Sequence, residues 1–287
     1  LYPMAIAVII NLINIILSFL FVFPLRLGFE GVAWGTLCAN WRGLALSFVL
    51  ARKFRKGKPL WCRCGEIFRG GGLGKFFSVN GDLFLRSACI ISVSLGVASA
   101  GARLGALTLA VNVIVMQYFQ FFSFFMDGFA FSAEALVGKY VGCSDRVMVK
   151  TVVRALLKWT LIMAILFSML YFSGCDIVSE LLTDRRAVWS ELHILRIWIC
   201  LLPLVSAWAF IYDGFYVGIT STRKMMIATM VSTAVFYLIA FVRYDADGFS
   251  IGIDDNKVLW SAFLSYLFLR GAILAGQWKY VSVRNGI

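Results

Sequence analysis

Eight apolar segments follow one another along the chain, separated by polar stretches. Each is a continuous apolar run, without the alternation of apolar and polar positions that marks a strand of a membrane β-barrel. An apolar helix of about 20 residues is long enough to cross a bilayer, so the pattern predicts eight transmembrane helices. The segments are Met4–Phe23, Gly31–Leu50, Leu83–Ala100, Ala106–Val137, Val152–Phe172, Ile197–Ile219, Met226–Phe241 and Val258–Ala275.

The composition supports a membrane protein. Of the 287 residues, 61% are hydrophobic and only 15% are charged, whereas about 25% of the residues of a soluble domain are charged. This balance excludes a soluble enzyme, a disordered chain and a secreted disulfide scaffold. The fold class predicted is therefore an all-α integral membrane protein.

The distribution of charge predicts how the chain is oriented. A net charge of +12 could indicate nucleic acid, but in a membrane protein it more often marks loops beside anionic lipid. If the segments cross in succession, most loop Lys and Arg residues lie on one side, and acids such as Asp176, Glu180 and Asp254 lie on the other. Loops rich in Lys and Arg face the cytoplasm. We therefore expect a multi-pass protein of the cell (inner or plasma) membrane with a cytoplasmic C-terminus. Its partners are expected to include membrane lipids and no nucleic acid.

A long, basic and glycine-rich stretch divides the chain at residues 52–81. It contains Gly70, Gly71, Gly72 and Gly74, but not the spacing of a phosphate-binding loop. We interpret it as a cytoplasmic linker between residues 1–51, with two helices, and residues 82–287, with six. Because the chain starts at Leu1 without a basic region before the first apolar run, we expect an N-terminal part to be missing.

Cysteine and histidine usage argues against a metal site and against enzyme chemistry. The seven cysteines are odd in number, and Cys62 and Cys64 lack the second pair that a zinc site needs. His193 is the single histidine, so the His-rich motifs of an integral-membrane enzyme are absent. We predict no enzyme activity, no metal and no cofactor beyond a coupling ion, H⁺ or Na⁺.

The most informative residues are acids inside predicted spans, because each costs about 2.5–3.5 kcal/mol at mid-bilayer. Asp127 and Glu134 lie seven residues apart on the fourth predicted helix, and Gln120 lies seven residues before Asp127. Seven residues are nearly two helical turns, so the three share one face. Asn112 adds polarity to the same helix. We expect Gln120, Asp127 and Glu134 to face protein or water rather than lipid.

Asp213 repeats this pattern on the sixth predicted helix, next to Tyr212, and the tripeptide Asp-Gly-Phe occurs at both 127–129 and 213–215. Two interpretations stay open. The acids could be structural partners of Arg86, Arg103 or Arg270. Alternatively, they exchange a proton or a cation, because an apolar cavity favours the neutral form of a carboxyl group. The predicted coupling or cavity residues are Asp127, Glu134, Asp213, Gln120, Asn112 and Tyr212.

Motifs throughout the chain resemble the multidrug and toxic compound extrusion (MATE) family, specifically its DinF-like branch. The resemblance covers nearly the whole chain in order. It rests on residues 126–138 (MDGFAFSAEALVG), 31–36 (GVAWGT), 80–86 (NGDLFLR), 100–105 (AGARLG), 109–112 (LAVN) and 212–220 (YDGFYVGIT).

The resemblance implies twelve helices in two six-helix lobes. The eight predicted helices would then be the last two of the N-terminal lobe and the complete C-terminal lobe, with the missing N-terminal helices as a partner. Family members export organic cations and other amphiphiles in exchange for protons or sodium, by rocking the lobes around a central cavity. We therefore expect a secondary active multidrug antiporter.

The resemblance also bears on the coupling ion. Asp213 matches the carboxylate of the family's tenth helix. Arg86 lies near the position where the sodium-coupled branch carries a Glu, so proton coupling is favoured over sodium coupling. The alternatives are a flippase for lipid-linked precursors, which would need several cavity Arg residues, and a non-functional fragment.

Overall fold

The computed structural model describes residues 2–25, 27–54, 72–182, 186–245, 248–251 and 255–284. These residues form eight helices and one antiparallel hairpin, in which Val242 pairs with Ile251 and Asp245 with Gly248. The hairpin was not anticipated; otherwise the predicted all-α fold is confirmed. The elements are α1 (Tyr2–Val22), α2 (Gly28–Phe54), α3 (Gly72–Leu104), α4 (Ala106–Gly142), α5 (Arg146–Leu182), α6 (Arg186–Gly218), α7 (Thr222–Phe241), β1 (Val242–Asp245), β2 (Gly248–Ile251) and α8 (Asn256–Arg284).

Each predicted apolar segment lies on one helix, to within one residue. Over the described residues, α3 to α8 are long and apolar enough to cross a membrane. The first helix contributes a shorter apolar stretch, Ile9–Val22, and α2 carries Asn40 and Arg42 near its middle, which lowers its hydropathy. Six of the eight predicted spans are thus supported, and the count of eight stays a prediction.

The predicted linker, residues 52–81, is partly helical. Residues 52–54 end α2 and residues 72–81 begin α3, while residues 55–71 lie outside the described part of the chain. A helix satisfies its backbone hydrogen bonds internally whether or not it lies in hydrocarbon, so hydropathy does not reveal where it begins. By its contacts the chain separates into two compact units, Leu1–Leu73 and Gly74–Ile287.

The first unit is held together by small residues on α2. Gly31, Gly35, Ala39 and Gly43 are spaced four apart and are all buried. A Cβ atom at Gly35 would lie 3.0 Å from the Cα atom of Ser18 on α1. Small residues at this spacing allow two membrane helices to approach closely, and so the pair packs backbone against backbone.

In the second unit, α6 is the central helix and packs against α4, α5 and α8, while α7 packs against α8. Two glycines, Gly214 and Gly218, allow the closest of these approaches. A Cβ atom at Gly214 would lie 2.9 Å from the Cα atom of Ala130, and one at Gly218 would lie 2.9 Å from the carbonyl oxygen of Glu134. The backbones of α4 and α6 therefore nearly touch over two turns.

The remaining helix of this unit, α3, is joined to its neighbours by polar side chains. The Thr222 hydroxyl donates to Asp82 at 2.9 Å, and the Tyr237 hydroxyl donates to the carbonyl oxygen of Ser92 at 2.7 Å. Between these two contacts Arg86 reaches Asp213. This helix thus forms one wall of the second unit and contributes a charge to its interior.

The core of the second unit consists of two apolar clusters with a polar layer between them. On α4 the first cluster ends at Met126 and the second begins at Ala133; on α8 the corresponding residues are Leu267 and Leu274. Asp127 and Arg270 fall between these limits. The fold therefore places its charged residues at one level inside the helical bundle.

Candidate functional site

The centre of the polar layer is Asp213 on α6, which is only 6% exposed. One of its oxygens, Oδ2, accepts hydrogen bonds from two guanidinium groups. Arg86 of α3 donates from Nη2 at 2.5 Å, and Arg270 of α8 donates from its own Nη2. A buried carboxylate is tolerated only when it is paired and hydrogen-bonded. Three helices that are distant in sequence therefore meet at one oxygen atom.

Arg270 is 4% exposed and is the most deeply buried charge of the site. Its Nη1 atom lies 3.5 Å from the hydroxyl of Tyr266, one turn earlier on α8. The next residue, Gly271, lets α8 approach α6, because a Cβ atom there would lie 3.1 Å from Cβ of Trp208. Gly271 thus lets α8 lie close enough to α6 for the Arg270 guanidinium to bind the Asp213 carboxylate.

The layer retains unused hydrogen-bonding capacity. Among the described residues, no hydrogen-bond partner exists for Asp213 Oδ1, Arg86 Nε or Arg270 Nε, although all three atoms are buried. An unmet buried polar atom costs roughly 1–3 kcal/mol. The cluster is therefore able to accept a further polar partner without breaking its present ion pairs.

A cavity of about 250 Å³ opens beside the two arginines. Its polar lining includes Arg86, Arg270, Gln120, Ser123 and Asp127. Asp213 is not part of the cavity wall and lies behind the arginines that bind it.

The Asp127 carboxyl differs from that of Asp213, because it lies on the wall of this cavity and is only half-buried. Asp127 lies within electrostatic range of Arg86, Arg270 and Asp213. Over the part of the chain that the structure describes, it takes part in no hydrogen bond or salt bridge. Asp127 is thus the acid of the layer that a ligand in the cavity could reach.

Aromatic rings form a further part of the cavity wall, beside aliphatic side chains such as Ile90 and Leu267. Phe119 of α4 packs against Phe210 of α6, with 6.2 Å between ring centroids, and against Phe263 of α8, at 5.2 Å. The ring of Tyr266 follows at 6.1 Å from Phe263. The cavity therefore combines a carboxylate with several aromatic faces.

The structure brings together only some of the predicted site residues. Gln120 and Asp127 line the cavity, and Asp213 lies directly behind it. Glu134 is exposed and is absent from the cavity wall, although it was expected on the same stripe. Glu134 lies about 10 Å further along α4 than Asp127, at the level of Gly218 and therefore past the cavity.

Asn112 and Tyr212 lie in other parts of the unit. Asn112 is buried and accepts a hydrogen bond from Trp260 Nε1 at 2.8 Å, which links α4 to α8. Tyr212 belongs to the second apolar cluster, with its ring centroid 6.2 Å from that of Trp278. Both contacts are consistent with packing between helices, and neither residue lines the cavity.

Several cavity residues were not anticipated from the sequence. Arg86 and Arg270 were considered only as structural partners, and Ser123, Phe210, Phe263 and Tyr266 were not singled out at all. Their positions depend on how α4, α6 and α8 pack, and no local pattern reports that. In the described ranges there is no cluster of three or more His, Cys, Asp or Glu residues that could hold a metal ion.

Six apolar helices around a buried charged layer define a multi-pass membrane protein. The MatE family model matches residues 83–242. The chain belongs to the MatE family, whose members are transporters and not enzymes.

Individual relatives agree with this membership. DNA damage-inducible protein F of Escherichia coli (strain K12) is 29% identical over 280 residues, which are 96% of this chain and 59% of that protein. Protein DETOXIFICATION 42 of Arabidopsis thaliana is 24% identical over 289 residues, covering 96% of this chain and 51% of its own length. The chain thus spans between half and three-fifths of the length of these relatives.

The fold is shared with solved MATE transporters. A mutant of the Vibrio cholerae MATE transporter VcmN superposes with a TM-score of 0.78 at 16% sequence identity, covering 98% of this chain and 62% of that one. At this level of identity the likeness establishes the fold.

Proposed function

We propose that this chain is part of a proton-coupled antiporter that exports drugs, organic cations or other amphiphiles by alternating access. The observation that carries the proposal is the cavity of the second unit, where Asp127 and several aromatic rings line the same space in a chain of the MatE family. Organic cations favour a carboxylate flanked by aromatic faces, because both attract positive charge. A carboxylate reachable from the cavity can alternatively take up a proton, so proton and substrate compete for one group.

The lining of the cavity favours a proton over sodium as the coupling ion. Arg86 and Arg270 both line the cavity, and a guanidinium group has no acceptor atom with which to coordinate a metal cation. A hard cation such as sodium requires several oxygen ligands. Among the described residues, no group of three or more His, Cys, Asp or Glu side chains could supply them. A proton needs one carboxyl group and no coordination shell.

The proposal extends to the whole transporter. In it, α1 and α2 belong to one lobe, α3 to α8 form the other, and further N-terminal helices complete the first. The linker and the C-terminus are placed in the cytoplasm of a cell (inner or plasma) membrane, on the basis of loop charge. A flippase for lipid-linked precursors is less well supported, because the two cavity arginines are balanced by Asp213 and Asp127 and leave no excess positive charge for a diphosphate.

The experiment is dye efflux from vesicles that carry the full-length protein. An imposed pH gradient should drive accumulation or release of a lipophilic cationic dye, while a sodium gradient of the same size should not. Asp127→Asn and Asp213→Asn are measured beside the unchanged protein and beside Glu191→Gln, an acid-to-amide change at a residue that does not line the cavity. Efflux driven equally well by sodium alone would contradict proton coupling. Full efflux with unchanged pH dependence in both Asp variants would place the coupling acid elsewhere in the protein.

A further inference from the structure

The two acids of the polar layer are not equally available to a ligand. Asp213 is 6% exposed, and its Oδ2 atom is occupied by two guanidinium groups. Asp127 lies on the cavity wall and takes part in no ion pair over the described ranges. A cation entering the cavity would have to displace arginines to reach Asp213, whereas it can contact Asp127 directly.

The surroundings of Asp127 define the kind of cation that fits. Phe119, Phe210, Phe263 and Tyr266 line the same cavity, and the face of an aromatic ring attracts organic cations. A volume of about 250 Å³ suits a small quaternary ammonium or one charged end of a larger amphiphile. A metal ion would gain little there, since most of the wall is hydrocarbon.

We propose that Asp127, and not Asp213, binds the charged group of a monovalent organic cation, and that Arg86 limits the site to a single positive charge. This site rests on the transport function proposed above, for which it names the binding residue and the substrate class. Asp213 then has a different task, which is to neutralise the buried Arg270 and to hold Arg86 of α3 in the cavity wall.

The restriction to one charge follows from the net charge of the polar layer and of the ligand bound in it. Arg86 and Arg270 contribute two positive charges, and Asp213 and Asp127 contribute two negative ones, so the empty site is neutral. A bound monocation leaves one excess positive charge, and a dication leaves two. The repulsion from Arg86 and the attraction to Asp127 both double for a dication and offset each other, whereas the cost of taking a charge out of water rises with its square. The neutral layer therefore leaves a dication with the larger uncompensated penalty.

The first test measures binding of labelled tetraethylammonium to the purified full-length protein in detergent, without an ion gradient. Asp127→Asn is expected to weaken binding by about tenfold or more, because it removes the one carboxylate that contacts the ligand. Asp127→Glu, which retains the charge, should bind within a few-fold of the unchanged protein, as should Glu191→Gln. Unchanged affinity in Asp127→Asn would overturn the assignment.

The second test uses Arg86. Arg86→Gln leaves the Asp213–Arg270 pair in place and removes one positive charge from the cavity wall. Affinity for tetraethylammonium should rise, on the order of tenfold, and affinity for the dication methyl viologen should rise by roughly the square of that factor. Arg86→Lys keeps the charge and should change neither affinity by more than a few-fold. Two results would show that Arg86 acts through packing and not through its charge. One is an equal change in affinity in Arg86→Gln and Arg86→Lys, and the other is an equal factor for tetraethylammonium and methyl viologen in Arg86→Gln.

A double variant separates the two acids. If Asp127 is the ligand, Arg86→Gln combined with Asp127→Asn should bind tetraethylammonium about tenfold more weakly than Arg86→Gln alone, because the carboxylate is lost while the removal of the Arg86 charge still favours the ligand. If Asp213 is the ligand, removal of Arg86 frees it, and the double variant should bind as tightly as Arg86→Gln; that result would overturn the proposal. Because binding needs no gradient, a protein that binds through Asp127 but transports nothing contradicts only the transport function. Full dye efflux with ligand binding independent of Asp127 contradicts only this site.

Discussion

The same tripeptide, Asp-Gly-Phe, occupies two helices and has a different environment at each of its three positions. On α6, Asp213 is buried between two arginines, Gly214 touches the backbone of α4, and Phe215 is fully buried. On α4, Asp127 lines a cavity, nothing lies within 4 Å of a Cβ atom built at Gly128, and Phe129 is half-buried. The α6 copy is therefore a packing element of the bundle. The α4 copy is exposed to whatever enters the cavity, so one short motif serves two purposes.

The largest expected contrast concerns the two aspartates and protein stability. Asp213→Asn leaves the buried guanidinium of Arg270 without its carboxylate, which should lower the free energy of unfolding by about 3–5 kcal/mol. Asp127→Asn removes no ion pair found in the described ranges and should change stability by less than about 1 kcal/mol. Reversible unfolding in mixed detergent with increasing SDS measures both. Equal losses would show that both acids hold the bundle together.

Truncation of the phenylalanine should likewise cost more stability on α6 than on α4. Truncation of Phe215 to Ala empties a fully buried site next to Trp278, whose ring centroid is 5.2 Å away, and should cost about 3–5 kcal/mol. Phe129 is partly exposed, so Phe129→Ala should cost roughly half as much. The measurement is again unfolding in SDS, with binding of tetraethylammonium as a check that the cavity survives. A larger loss at Phe129 would contradict the comparison.

Substitution of the two glycines should give small changes in the free energy of unfolding, and the two changes should have opposite signs. Gly214→Ala forces a Cβ atom to 2.9 Å from Cα of Ala130, so α4 and α6 must move apart, at a cost of about 1–3 kcal/mol. Gly128→Ala meets no neighbour and should stabilise the protein by about 0.5–1 kcal/mol through helix propensity. Midpoints of thermal unfolding should therefore shift in opposite directions. A loss of stability in Gly128→Ala would indicate that the surroundings of Gly128 are more crowded in the whole transporter.

The sequence predicted the helical class, the positions of all eight helices and the membership of a transporter family. It also predicted polar residues that the structure brings to one cavity, Gln120 and Asp127, and raised Arg86 and Arg270 as partners of the acids. The resemblance favoured Asp213 over Asp127 as the coupling acid, because Asp213 matches a family carboxylate, whereas the structure pairs Asp213 with two arginines and puts Asp127 on the cavity wall. Asn112 was predicted as a site residue for its polarity on the same helix and Tyr212 as a neighbour of Asp213. The structure places both in contacts between helices and away from the cavity, and their part in transport stays a prediction.

What the sequence could predict and what it left open differ for a physical reason. Whether a segment forms an apolar helix depends on that segment alone, since its backbone hydrogen bonds are internal and its hydrophobicity is a sum over its own residues. The sequence by itself therefore determined the helices and their apolar runs. The partner of a charge depends on helix packing: Arg86 of α3 and Asp213 of α6 are 127 positions apart, and Gly271 lets α8 approach α6 so that Arg270 reaches the same carboxylate. Only the tertiary structure decided which carboxylate is occupied by arginines and which one faces the cavity.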